Sequence, residues 1–174
     1  MSRKKAHYDW TQWTPEWQNL LALDLKSVTT GPGAYVIATG HPLMRAVGED
    51  EFGILDIGET GALRDRFRKF IRCSGEKFQM GHIAGWRFCF FCLDRVFTRA
   101  KLQVRWIEAE TKQAAHAIEG EALLTYLRNH CELPPLNYKF NWSSFGDKEY
   151  GCIDDYDAEV LAAARKAKRT AVRT

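Results

Sequence analysis

Nothing in these 174 residues is long and apolar enough to cross a bilayer. The basic start, Met1-Ser2-Arg3-Lys4-Lys5, is followed by no apolar segment of the secretory kind. These absences point to the cytoplasm and away from a membrane partner. Cysteine occurs five times, an odd number, which with no secretory signal argues against a disulfide framework. Cys89 and Cys92 have the spacing of a redox or zinc pair, but they lie in an apolar run, 86–93, that reads as a strand. Residues three apart on a strand point to opposite faces, so two buried structural thiols are expected. There is no glycine-rich phosphate loop, zinc-finger spacing or internal repeat, and no organic cofactor is expected.

An excess of charge is also missing from most of the chain. The total is +3, and removing the five cations Arg165, Lys166, Lys168, Arg169 and Arg173 leaves −2 for the rest. Net basicity is thus a property of the tail, and a nucleic-acid reading does not rest on it. What the chain has in plenty is apolar and aromatic material: 45% hydrophobic residues, with 6 Trp and 10 Phe. That is enough for a core, and the length suits one domain with additions at its ends.

Taken in order, Thr14-Pro15-Glu16 carries a helix-start signature of cap, proline and acid. Trp17, Leu20 and Leu21 would then share a face. Gly31-Pro32-Gly33 leads into a first strand, 34–39. A long connection, 40–51, contains Arg45 and an acidic run; it is a surface loop or a substrate-contacting insertion. A second strand, 52–57, ends at Gly58-Glu59-Thr60-Gly61. A helix over 62–72 follows, with Leu63, Phe67, Phe70 and Ile71 as its buried stripe. Arg64, Arg68 and Arg72 lie four apart on its outward face, while Arg66 sits at the boundary of core and solvent. His82 falls in an irregular stretch before the third strand, 86–93, whose apolar character suggests a central position. Thr98 is expected to cap a helical region reaching His130. Leu133-Pro134-Pro135-Leu136-Asn137 ends it. Asp154, Asp155 and Asp157 precede a short helix near 158–168.

Gly33-Ala34-Tyr35, Asp56-Ile57-Gly58, Arg66, Glu121 and Pro134-Pro135-Leu136-Asn137 occur in an order that resembles the GIY-YIG nuclease family. The resemblance spans residues 33–137. It implies an α/β fold in which a small, mostly antiparallel three-stranded sheet is flanked by helices. The core would be 33–140, with an N-terminal helical extension, 1–32, and a C-terminal extension, 141–174.

The activity implied is metal-dependent DNA endonuclease cleavage, leaving 5′-phosphate and 3′-hydroxyl ends, in restriction, repair or mobile-element settings. Glu121, preferred over its neighbour Glu119 because Glu119 projects between the apolar faces of its helix, would hold one Mg²⁺ or Mn²⁺. Arg66 would neutralise charge on the phosphoryl group. Tyr35, ionised by nearby cations, would accept the proton of the attacking water. Asp56 and Asn137 complete the implied catalytic set, and Arg64, Arg68, Arg72 and His82 would meet the nucleic acid. The chain departs from the family at three places. Asp56 replaces a tyrosine, Phe70 a histidine, and Glu59 a lysine that some members carry. The alternative is a degenerate module of the same fold that binds DNA or a protein without cutting. One such site cuts one strand, so a double-strand break requires a homodimer or two events.

Overall fold

Six consecutive buried residues, Gly33–Ala38, form the strand on which the fold is built. In the computed structural model, which describes residues 8, 10–75 and 80–138, these belong to one compact unit, Met1–Ser144. The elements in chain order are β1 (Gln18–Asn19), β2 (Gly33–Ala38), β3 (Leu43–Met44), β4 (Glu49–Asp50), β5 (Ile54–Thr60), α1 (Leu63–Gly75), α2 (Ile83–Phe90), β6 (Gln103–Glu108) and α3 (Lys112–His130). The expected C-terminal helix, its aspartates and the basic tail lie outside the described residues.

The main sheet has four strands in the order β1-β6-β2-β5, and every neighbouring pair is antiparallel. β3 and β4 form a separate hairpin. Alternation along the strands assigns the two faces. Tyr35, Ile37, Val104 and Trp106 pack with Leu63, Phe67, Phe70 and Phe88, on the side of α1 and α2. Ala34, Val36, Ile57 and Ile107 pack with Ala122, Leu123 and Tyr126 of α3 on the other. Each large apolar side chain buried this way contributes about 1.5–3 kcal/mol.

Four expectations need correction. The first 20 residues hold no helix among those described; β1 pairs with β6 instead. Thr14 does not cap. Its hydroxyl accepts from Trp106 N–H at 3.2 Å, and Arg105 donates to Thr14 O and Pro15 O at 2.8 and 2.9 Å. The Arg105 guanidinium also lies 5.1 Å from the Trp10 ring. These long-range contacts override a local helix signal.

The run 86–93 is not a strand. His82 accepts from Gly85 N–H and starts α2, which lies against α1 so closely that a Cβ at Gly85 would meet Phe70 O at 3.0 Å. A short apolar run does not by itself distinguish a strand from a buried helix. Cys89 thus lies on a helix, with Cys92 just beyond it; both are half-buried and free.

The central third strand is β6, inside the stretch expected to be helical. Thr98 makes no capping bond, whereas Thr111 accepts from Ala114 N–H and opens α3. Finally, β5 continues through Gly58-Glu59-Thr60, where the sequence suggested a break, and the sheet has a fourth short strand. Among the described residues no helix is long and apolar enough to cross a membrane.

Candidate active site

β5 is an edge strand, and its free edge is where the site forms. Asn137 occupies part of that edge as a peptide group would. Its Oδ1 accepts from Ile57 N–H at 2.9 Å, and its Nδ2 donates to Ile57 O at 2.7 Å. Leu136 N–H donates to Leu55 O nearby. Arg87 ties the same segment down by donating to Leu136 O at 2.9 Å. Asn137 is thereby a positioning residue with both polar ends engaged.

A cavity of about 220 Å³ opens here, lined among others by Tyr35, Asp56, Arg66, His82, Glu119 and Asn137. The ladder explains how the first two meet. Tyr35 lies opposite Gly58, and Ile37 opposite Asp56, so Tyr35, Asp56 and Gly58 share a face. Gly58 leaves the space into which the Tyr35 ring leans; any Cβ would collide with its hydroxyl and Cζ.

A directed chain of hydrogen bonds follows. His82 Nδ1 accepts from Gly85 N–H at 3.3 Å, which puts the imidazole proton on Nε2. Nε2–H then donates to the Tyr35 hydroxyl at 3.1 Å. Beside this pair stands the Asp56 carboxylate, which lines the same cavity and acts electrostatically on the Tyr35 hydroxyl. Asp56 Oδ2 is buried with no hydrogen-bond partner.

These environments set the proton affinities. Burial pushes the Asp56 carboxyl up to about 6, against the pull of Arg66, the Tyr35 hydroxyl and Arg87. Burial, followed by Arg66 and Lys69, brings His82 down to about 3, so its ring is neutral. Burial and Asp56 drive Tyr35 well above its ordinary 10, outweighing Arg66. The expected ionised tyrosine is therefore replaced by a neutral phenol.

The arginines of α1 divide sharply. Arg64 is committed to Val28 O and Lys26 O, both at 2.9 Å, and holds the preceding loop. Arg68 pairs with Asp65, and Arg72 donates to Met80 O. None of these three lines the cavity, whereas His82 does and is 3% exposed. Arg66 lines the cavity, half-buried, and acts electrostatically on Tyr35, Asp56 and His82.

Glu121 is not at this site. It lines a separate cavity with Trp10, Trp13 and Ile118, whereas Glu119 is in the first cavity and only 9% exposed. Two residues along a helix is a rotation of about 200°, so only one of the pair reaches the sheet edge. Glu119 follows the buried spacing of Ala115, Ala122 and Leu123. The sequence signal was thus a carboxylate inside the buried stripe of α3.

Two further residues went unrecognised as ligand candidates. Glu59 of β5 and His116 of α3 lie beside Glu119, with one ligand atom of each within 4.8 Å of the others. His116 Nδ1 is 3.3 Å from Glu119 Oε2. Carboxylate and imidazole donors fit a divalent cation, so the residues present are compatible with the metal that the family resemblance implies. The hairpin 40–51, by contrast, engages the far end of α3, where Arg45 pairs with Glu132 at 2.9 Å. No family model, curated protein or solved structure matches this chain.

Proposed function

We propose that this protein is a metal-dependent endonuclease of the GIY-YIG type, hydrolysing phosphodiester bonds in DNA. The observation that carries the reading is the convergence of Tyr35, Asp56, Arg66 and Glu119 on one cavity at the edge of β5. The antiparallel pairing of Gly33–Tyr35 with Gly58–Thr60 supports a GIY-YIG-like core around it.

The charges favour the same chemistry. Asp56, Glu59 and Glu119 line the cavity together with the cation Arg66. An anionic phosphate enters such a site only if further positive charge is present. Glu119 would hold a divalent metal, Mg²⁺ or Mn²⁺, which when bound supplies that charge and stabilises the pentacovalent phosphoryl oxygens. Arg66 binds a non-bridging phosphate oxygen and neutralises charge that grows as phosphorus is attacked.

Asp56 is the proton acceptor in this reading, in the role the sequence suggested for Tyr35. A carboxylate near 6 is ionised at neutral pH yet basic enough to take a proton from water. Tyr35, held by its hydrogen bond with His82, stands beside Asp56 in the cavity. Water attacks phosphorus, its proton passes to Asp56, the bond to the 3′ oxygen breaks, and that oxygen is protonated by solvent.

The test is incubation of the protein with mixed single- and double-stranded DNA in Mg²⁺ or Mn²⁺, beside Arg66→Ala. Cleavage by the native chain that falls at least a hundredfold in the variant supports the reading. Salt-sensitive DNA binding without cleavage would replace it with the non-cutting module.

A further inference from the structure

We propose that Glu59, His116 and Glu119 together form a three-ligand site selective for a first-row transition metal, of the Mn²⁺ or Zn²⁺ kind, over Mg²⁺. This deepens the nuclease reading by naming two ligands beyond Glu119 and the class of ion, and it can be tested without DNA.

The geometry comes from two elements. Glu59 stands opposite Ala34 in the β2–β5 ladder, on the α3 face of the sheet. His116 and Glu119 are three residues apart on α3, which places them side by side on the helix surface. One ligand atom from each lies within 4.8 Å of the other two, and the His116–Glu119 separation is 3.3 Å. Metal–ligand bonds of about 2.0–2.2 Å allow ligand atoms on one ion to stand up to about 4.4 Å apart. The three donors therefore reach a single ion with shifts of a few tenths of an ångström.

A second observation points independently to a ligand. Glu59 Oε2 is buried and has no hydrogen-bond partner. An ionised oxygen removed from water without a partner is costly, and a directly bound cation removes that cost.

The donor set decides the class of ion. Mg²⁺ prefers all-oxygen ligation and retains several waters. An imidazole nitrogen beside two carboxylates suits Mn²⁺, Zn²⁺ and their neighbours better. Three protein ligands also leave coordination positions open towards water or an anionic group.

The experiment is titration of the intact, metal-stripped protein with MnCl₂, read by loss of the free Mn²⁺ electron paramagnetic resonance signal and by calorimetry, with MgCl₂ in parallel. One Mn²⁺ per chain, bound at least tenfold more tightly than Mg²⁺, is expected. His116→Gln and Glu59→Gln should each weaken Mn²⁺ at least tenfold, and Glu121→Gln should leave it unchanged. As a check that does not depend on variants folding, Mn²⁺ should broaden the amide signals of Gly58 and His116 in the native protein before those of Trp13 and Thr125. Wild-type Mn²⁺ affinity in both His116→Gln and Glu59→Gln, or no preferential broadening at Gly58 and His116, would overturn the inference. Site-specific Mn²⁺ binding without DNA cleavage would leave it standing and remove the nuclease reading instead. Mg²⁺-supported cleavage indifferent to His116→Gln would do the reverse.

Discussion

Gly58 and Tyr35 face each other across the β2–β5 ladder, and the tyrosine ring occupies the volume that a side chain at position 58 would take. The glycine is there for space. Gly58→Ala should destabilise the fold by about 1–3 kcal/mol, as overpacking of a core does. It should also pull the Tyr35 hydroxyl away from His82. Urea denaturation gives the first effect and the His82 Nε2–H resonance reports the second. An alanine variant of native stability with an unchanged imidazole signal would contradict this.

Asp56 and His82 oppose each other in acid. His82 has a folded value of about 3, below its ordinary 6.5. Its contribution is intact above 6.5 and is lost as pH falls towards 3, because the unfolded chain takes the proton first. Asp56 is raised from 3.8 to about 6, so the folded chain takes its proton first and gains stability as pH falls from 6 towards 4. At about 1.4 kcal/mol per unit, the two slopes nearly cancel between pH 6 and 4. Asp56→Asn should therefore lose stability more steeply than wild type across that window, by about 1.4 kcal/mol per unit. His82→Asn should gain stability as pH falls there. Chemical denaturation at pH 4, 5, 6 and 7 checks both, and parallel profiles would refute the opposition.

The same carboxylate governs the pH dependence of cleavage. If Asp56 accepts the proton, the rate rises with pH through about 6 and levels above it. Asp56→Asn should lower kcat by about 10²–10⁴ and abolish that rising limb. A variant with an unaltered limb would assign the proton transfer elsewhere.

Asn137 is expected to matter for structure before chemistry. Both ends of its amide serve Ile57. Asn137→Ala leaves two backbone groups of β5 short of partners and should cost about 1–3 kcal/mol. Thermal denaturation measures it, and Asn137→Asp, which sets a carboxylate oxygen against Ile57 O in place of the donor, should not recover the loss.

How far these features were legible in the sequence depended on the range of the interactions involved. Tyr35, Gly58, Arg66 and Asn137 could be singled out by the order in which they occur, which resembles the GIY-YIG family, since a tyrosine on a strand or a glycine after one means little alone. β6 was missed because Arg105 is buried by its bonds to Thr14 and Pro15, about 90 residues away in the chain. Gln103-Val104-Arg105-Trp106 alternates polar and apolar, but for four residues only before Ile107 breaks the pattern. The apolar run of α2 has no period of its own, so in the sequence it reads as a strand as readily as a helix. Glu121 was preferred to Glu119 because a carboxylate between apolar faces looked misplaced, yet that placement is what delivers it to the sheet edge. Glu59 and His116 become neighbours only once β5 and α3 pack.

The choice between those two glutamates is also the most direct test of the whole account. Plasmid and oligonucleotide cleavage in Mg²⁺ or Mn²⁺ should be measured for the native chain, Glu119→Gln and Glu121→Gln. The cavity at the β5 edge predicts that Glu119→Gln loses at least a hundredfold in rate while Glu121→Gln cuts as the native chain does. Cleavage that survives Glu119→Gln, or is lost only in Glu121→Gln, would contradict it.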